Sequence, residues 1–260
     1  DMIDHVTSGN LRDEYESIVS TYRNMLKYTL EGVKDPERNK IYLKLMQSIL
    51  RLGDRVRQDI LSRFSGWNTY WIKLQAEKEQ KLTGKSIVET VDDLMFKSEL
   101  DEWLKLSNEI NPDPDSEISR KHKQLIKNIF NHLWLTDYYG EAENSLAGLI
   151  INSDKFRWHE SSIFVTAITL SSLRTWQPEK LLILFDFYEA GQEQVMERGL
   201  SGLILNFHYY NNRLLLFPEI TEKISSLSSS EKFREHCKII VLQTIRSRET
   251  EKLSKKLNEE

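Results

Sequence analysis

The sequence predicts an all-α fold, an α-α superhelix (a solenoid of stacked helix pairs) preceded by a bundle of longer helices. Three observations support this prediction. Apolar residues recur at helical spacing along nearly the whole chain of 260 residues. Only 10 glycines and 5 prolines interrupt it, too few for the many turns of an all-β protein. Stretches of the second half also match one another at a nearly constant offset, which is typical of helical repeats.

Residues 1–140 form the predicted N-terminal helical region. Its clearest helix start is Asp35, a candidate cap, followed by Pro36 at the first helical position. From this start one apolar stripe is predicted to run along the helix: Tyr42, Met46, Ile49, Val56, Ile60 and Phe64. The stretch NPDPDSE (Asn111–Glu117) predicts an extended loop, because a proline disfavours helix at the residue before it. Helices are predicted near Leu11–Leu30, Asp35–Phe64, Trp67–Lys81, Ser86–Ile110 and Asp115–Leu135.

Residues 141–260 are predicted to form shorter helices, arranged as repeats. TAITL (Thr166–Leu170) aligns with SGLIL (Ser201–Leu205) at an offset of 35 residues, and CKIIVLQTI (Cys237–Ile245) aligns with LSGLILNFH at 37. The tetratricopeptide signature is missing, whereas a helix pair joined by a polar turn fits a HEAT-like repeat. Helices are predicted near Glu141–Asn152, Trp158–Leu173, Pro178–Glu189, Glu193–Tyr210, Arg213–Leu227 and Ser230–Leu257.

Two glycines within one turn of the predicted helix Glu193–Tyr210 indicate close helix packing. Gly199 and Gly202 each cost about 1 kcal/mol relative to alanine inside a helix. A neighbouring backbone that approaches closely would offset this cost. The apolar residues around these glycines predict a helix that is buried on most sides: Leu200, Leu203, Ile204, Leu205 and Phe207.

The segment from Glu179 to Ile220, together with IRSRETEKLSKKLNEE at the end of the chain, resembles part of the large helical-repeat proteins common in Bacteroidetes. Many of these carry a tetratricopeptide label. The resemblance covers about Trp158–Glu260 and is vaguer in the N-terminal half. It implies that the chain is a piece of a longer protein with further repeats after Glu260, and it supplies no catalytic residue.

Charge and composition argue against several classes of function. The net charge is −4 and each half of the chain, divided at Gly140, carries −2, so neither half is a basic nucleic-acid module. Cys237 is the only cysteine, which excludes an intrachain disulfide and fits a reducing compartment. No apolar run reaches 18 residues. We therefore expect a cytoplasmic protein without membrane insertion.

Four motifs approach known sites without completing them. TGKS (Thr83–Ser86) has Glu79 where a phosphate-binding loop needs glycine. NPDPDSE has Ser116 where a calcium loop needs glycine. WHESS has Ile163 where a zinc-protease helix needs its second histidine. His236 and Cys237 are adjacent on a helix and point apart, so Cys237 is read as a small core residue. We expect no metal and no cofactor.

Aromatic residues near successive helix ends are the candidate partner-binding residues. Aromatic and arginine side chains are enriched at binding hot spots. The candidates are Trp176, Tyr188, Tyr209, Tyr210 and Arg213, of which the last three flank a polar turn and are expected to be exposed. The alternative is that most of them fill gaps between repeats. An acidic series could favour a basic partner: Asp186, Glu189, Glu193 and Glu197.

These features predict a non-enzymatic scaffold that presents a solenoid surface to a protein or peptide partner. This prediction rests on analogy of architecture. A nucleic-acid-binding repeat protein is the first alternative, and an α-helical enzyme is the second. The segment KLSKKLNEE is still helical in pattern at the last residue, so an apolar edge is expected there and self-association could be an artefact of truncation.

Overall fold

The computed structural model describes residues 9–64, residue 89, and residues 117–152 and 155–259. Within these ranges the regular structure is helical throughout, with no strand, so the all-α prediction is confirmed there. The helices are α1 (Gly9–Leu30), α2 (Arg38–Phe64), α3 (Glu117–Leu135), α4 (Glu141–Asn152), α5 (Trp158–Arg174), α6 (Pro178–Glu189), α7 (Glu193–Leu214), α8 (Pro218–Ser228) and α9 (Glu231–Glu259).

The chain divides into two compact units, Asp1–Gln75 and Ala76–Glu260. Helix α3 packs against α5 and so shares the second unit with the helices that follow Gly140. The predicted division of the chain at Gly140 therefore does not coincide with the division into compact units. It remains a prediction about where the repeats begin.

The first unit contains the helices α1 and α2, which pack against each other on a small apolar core. The amide of Glu37 donates to Asp35 Oδ1 over 2.8 Å, the type of bond that a capping aspartate accepts, but the prediction that Pro36 takes the first helical position is wrong, because α2 begins at Arg38. The predicted stripe on α2 is wrong in part, because Tyr42 and Ile49 are exposed. The buried face is rotated toward the contact with α1 and consists of Leu11, Ile18, Leu45, Leu52 and Val56.

The second unit has two rows of helices. In one row α3 contacts α5, α5 contacts α7 and α7 contacts α9. In the other row α4 contacts α6 and α6 contacts α8. Each helix thus packs against the helix two positions further along the chain. A single apolar core lies between the rows and includes Phe164, Ile168, Leu184, Phe185 and Leu203.

The predicted helix bounds agree closely for α4 and α6 and differ at α7. Helix α7 runs on to Leu214, but Tyr210 has non-helical angles (φ −115°, ψ 24°) and marks a kink at the predicted end. Helix α8 starts later than predicted because Pro218 takes its first position. The predicted helices near Trp67–Lys81 and Ser86–Ile110 lie outside the described residues, apart from the helical residue 89.

Close packing at the two glycines of α7 is confirmed. A Cβ atom on Gly202 would lie 2.3 Å from Thr169 Oγ1 of α5, and one on Gly199 would lie 3.2 Å from the carbonyl oxygen of Leu184 in α6. A side chain at Gly202 would therefore overlap α5, and one at Gly199 would be in tight contact with α6. The expectation that α7 is buried on most sides is only partly correct, because Leu205 is 47% exposed.

Buried Lys180 ties α6 to the carboxyl ends of α3 and α5. Its Nζ donates to the carbonyl oxygens of Asp137 at 2.7 Å, of Thr136 and Thr175 at 3.3 Å and of Ser171 at 3.5 Å. The ammonium also lies 4.9 Å from the centre of the Tyr139 ring. Burial, aided by the nearby Arg174 charge, lowers the pKa of Lys180 to about 7.

Candidate partner-binding groove

A groove of about 450 Å³ separates α4 from α6 in the second unit. One stripe of each helix lines it, at the i, i+3, i+4, i+7 spacing of a single helix face. The α4 stripe consists of Asn144, Ala147, Gly148, Ile151 and Asn152. The α6 stripe consists of Glu179, Leu182, Ile183 and Asp186. We call this surface the α4–α6 groove.

The floor of the α4–α6 groove is apolar and its ends are polar. Ala147 and Ile183 are buried, whereas Asn144, Asn152 and Asp186 are exposed. Pockets that bind ligands commonly combine an apolar lining with a few polar groups. This distribution suits a segment with an apolar centre and polar flanks.

Gly148 leaves open space in the middle of the groove. A Cβ atom on Gly148 would meet no atom of the described protein within 4 Å. Glycine inside a helix costs about 1 kcal/mol relative to alanine, and here no contact within the described protein requires it. Because Gly148 has no side chain, the backbone of a bound peptide could approach the backbone of α4 closely at this position.

The α6 side of the groove is acidic. Although Asp186 is exposed, partial desolvation by the surrounding protein raises the pKa of its carboxyl group, an effect that Lys223 opposes and Glu189 reinforces. Lys223 Nζ itself lies 2.6 Å from Glu189 Oε2. At the other end of the stripe, Glu179 Oε2 is buried and accepts no hydrogen bond from the described residues. The lining thus carries two carboxylates and, among its described residues, no cation.

Histidines of α3 fix the starts of α4 and α5. His132 Nε2 lies 2.8 Å from Glu143 Oε1, while Glu143 Oε2 accepts the Gly140 amide at 2.7 Å. The hydrogen bond with His132 is the main reason that the pKa of Glu143 is lowered, with burial acting in the opposite direction. The start of α4, one wall of the groove, is therefore held against α3.

The same arrangement recurs at the start of α5. His122 Nε2 lies 2.7 Å from Glu160 Oε1, and Glu160 Oε2 accepts the Arg157 amide at 2.9 Å. Burial opposes ionisation of Glu160, but the hydrogen bonds from His122 and from the Arg157 amide lower its pKa. Each glutamate is the third residue of its helix, the position from which a glutamate reaches back to the cap.

Three of the predicted partner-binding residues are buried in the second unit. Trp176 is 2% exposed and packs on Tyr210 and Phe217, with ring centres 4.8 and 5.5 Å apart. Tyr188 is 8% exposed and packs against Phe233. The expectation that Tyr210 is exposed is wrong, because the kink in α7 turns this 4% exposed ring toward the core. These side chains fill gaps between helices.

Tyr209 and Arg213 remain accessible. Tyr209 is 55% exposed, as expected. Arg213 is half-buried, with its guanidinium 4.9 Å from the centre of the Tyr210 ring. Neither residue lines the α4–α6 groove. Their part in partner binding stays a prediction.

The groove residues were not predicted from the sequence, although their spacing in the sequence carries a pattern. Both stripes have the spacing of one helix face, with polar residues at the ends and apolar residues between them. An ordinary amphipathic helix shows a continuous apolar stripe. The interrupted stripes of α4 and α6 can be interpreted as a groove only when it is known that these two helix faces lie opposite each other.

The incomplete motifs of the second unit have structural partners. Tyr188 OH lies 3.2 Å from His236 Nδ1, and Cys237 is partly buried against the core, where burial raises the pKa of its thiol. Across the described ranges, no group of three or more His, Cys, Asp or Glu side chains is arranged to hold a metal ion. TGKS lies outside these ranges, as does NPDPDSE except for Glu117.

The search for related proteins gave no match to a family model, to a curated protein or to a solved structure. Among the described helices, none combines the length and the apolar character needed to cross a membrane.

Proposed function

We propose that this chain is a non-enzymatic scaffold built as an α-α solenoid, which binds a protein or peptide segment in the α4–α6 groove. The observation that carries the proposal is Gly148, a glycine in a helix interior that faces an open groove and has no packing partner among the described residues. A peptide backbone is a ligand that would use such a position.

Two further observations support the solenoid as the framework. In the second unit, each helix contacts the helix two positions away in the chain, which is the arrangement that stacked helix pairs produce. Polar contacts between neighbouring helices of the row that contains α3, α5 and α7 also recur at a similar separation along the chain. Ser171 Oγ donates to the Thr136 carbonyl, 35 residues away, and Tyr210 OH donates to the Leu173 carbonyl, 37 residues away. These separations match the offsets in the sequence.

The resemblance to the helical-repeat proteins of Bacteroidetes agrees with this proposal. It suggests that other repeats adjoin the chain in a longer protein. A stack of this kind presents an extended surface, and the α4–α6 groove would be one local binding position on that surface.

The experiment is selection of a random peptide library, displayed on phage, against the whole chain and against its Gly148→Leu variant. Leucine favours helix and its Cβ atom would lie in open space within the groove, so we expect the variant to remain folded while its side chain fills the groove. Gly53→Leu is the matched control, because Gly53 in α2 is also an interior helix glycine with nothing within 4 Å of a Cβ atom.

We expect peptides that bind the natural chain and the Gly53→Leu variant but lose at least about tenfold in affinity for Gly148→Leu, a loss of about 1.4 kcal/mol. Circular dichroism should show equal helix content in all three proteins. A selection that yields only peptides indifferent to Gly148→Leu, or no peptides at all, would overturn the proposed groove function.

A further inference from the structure

We infer that the α4–α6 groove binds a cationic peptide segment, one in which lysine or arginine side chains flank an apolar residue. This inference rests on the proposed function and specifies the partner. The apolar residue would lie on the floor, between Ala147, Ile151 and Ile183, and the cations would meet Glu179 and Asp186 at the ends of the α6 stripe.

The charge of the lining selects a cation. Glu179 and Asp186 are the charged residues among the nine that line the groove. Lys223 acts electrostatically on Asp186, and Lys180 interacts in the same way with Glu179, but both lysines also have other partners. Lys223 pairs with Glu189 at 2.6 Å, and Lys180 directs its ammonium to four backbone carbonyls. Two carboxylates therefore face the groove without a lysine or arginine of the lining beside them.

The spacing of the two carboxylates favours a polymer over a single ion. Glu179 and Asp186 are seven residues apart on α6, which corresponds to about 10 Å along a helix. A calcium ion holds its oxygen ligands at about 2.3–2.6 Å, so one ion cannot bridge positions so far apart. A peptide can place one cation at each position and span the apolar floor between them.

Glu179 is expected to contribute more than Asp186. Its Oε2 atom is buried and accepts no hydrogen bond within the described protein, whereas Asp186 is exposed. A charge-assisted hydrogen bond formed away from water is stronger than a contact in solvent. We expect Glu179→Gln to weaken binding about tenfold or more, and Asp186→Asn to weaken it about threefold.

The first measurement is the composition of the peptides that depend on Gly148 in the selection described above. Lysine and arginine should be enriched over aspartate and glutamate relative to the starting library. Fluorescence anisotropy with the strongest such peptide, labelled with fluorescein, then gives its affinity for Glu179→Gln, Asp186→Asn and the natural chain. Glu197→Gln is the matched control, since Glu197 is exposed on α7 and lies outside the groove.

The expected result is a loss of affinity in both groove variants, none in the control, and weaker binding at high salt. Replacing the lysines and arginines of the peptide with glutamine should remove the difference between the variants and the natural chain. A peptide that depends on Gly148 but lacks cations and ignores both charge changes would overturn this inference, while the proposed function would stand. Failure to find any peptide that depends on Gly148 would overturn the proposed function itself.

Discussion

The two rows of helices in the second unit use glycine in opposite ways. In the row that contains α5 and α7, Gly202 lies where a Cβ atom would be 2.3 Å from Thr169 Oγ1, so the glycine lets two helices touch. In the row that contains α4 and α6, a Cβ atom on Gly148 would meet no neighbouring atom of the described residues within 4 Å. The same residue type therefore marks a closed contact in one row and an open groove in the other. Helix propensity alone cannot separate these cases.

The largest effect is expected at Lys180, which ties α6 to the ends of α3 and α5. Lys180→Met keeps the aliphatic volume but removes the donor shared by four carbonyl groups, so the free energy of unfolding should fall by about 3 kcal/mol. Urea unfolding followed by circular dichroism measures this change. Lys223→Met, a surface substitution, should change the stability by less than about 1 kcal/mol.

The pH dependence of Lys180 supplies an independent check of the same change. The folded pKa, about 7, is below the ordinary value of 10.5, so between these values the unfolded chain binds the extra proton. Lys180 should therefore increase the free energy of unfolding as the pH rises from about 7 toward 10. This pH-dependent contribution should be absent in Lys180→Met. An identical pH profile for both proteins would contradict the assignment.

Gly202→Ala tests the closed contact. The new methyl group would overlap Thr169 Oγ1, and the β-branched side chain of Thr169 has little freedom to move, so we expect a loss of about 2 kcal/mol. Thermal and urea unfolding report the loss. Adding Thr169→Ala should restore part of the stability, because it removes the atom that lies 2.3 Å away. If Gly202→Ala instead stabilised the protein, the close approach of α5 and α7 would be wrong.

Glu143→Gln tests the connection that holds α4 beside α3. The carboxylate accepts from both His132 and the Gly140 amide, so the variant should lose about 1–2 kcal/mol near neutral pH. The folded pKa of Glu143 is lowered, and its contribution is therefore present above the ordinary value of 4.5 and disappears as the pH falls through the folded pKa. Unfolding curves of the two proteins should converge in acid. A constant difference at all pH values would argue against an ionised Glu143.

Gly148→Ala gives the smallest effect and the most direct comparison with Gly202→Ala. Because the added methyl group has open space, only helix propensity changes, and the free energy of unfolding should rise by about 0.5–1 kcal/mol. The same unfolding measurement should therefore give opposite signs for the two alanine substitutions. A loss of stability at Gly148 would show that the α4–α6 groove is closed in solution.

Some elements could be predicted from the sequence with good bounds. Helices α4 and α6 start and end where predicted, because Gly140, Pro178 and the turn at Gly191 punctuate the pattern. The hydrogen bond that Asp35 accepts could also be predicted from its place before Pro36, although α2 itself begins two residues after Pro36, at Arg38. The prediction of close packing at Gly199 and Gly202 was also correct, because two glycines in an apolar helix have few other physical explanations.

The candidate site could not be predicted in the same way. The exposure of Tyr210 depends on a kink in α7. The burial of Trp176 depends on ring contacts with Tyr210 and Phe217, which are distant from it in the chain. Residue type had indicated hot spots there, but aromatic residues serve equally well as packing between helices. The groove was missed because its residues come from two helices separated in the chain by α5.

Apolar spacing, caps and helix-breaking residues act locally, so they were enough to predict that the described parts of this protein are helical and where most of those helices begin and end. Tertiary structure decided which glycine closes a contact and which opens a groove, and which aromatic rings are buried. These outcomes depend on atoms contributed by helices distant in the chain, since Thr169 of α5 lies against Gly202 of α7, whereas no described helix places an atom within 4 Å of a Cβ on Gly148.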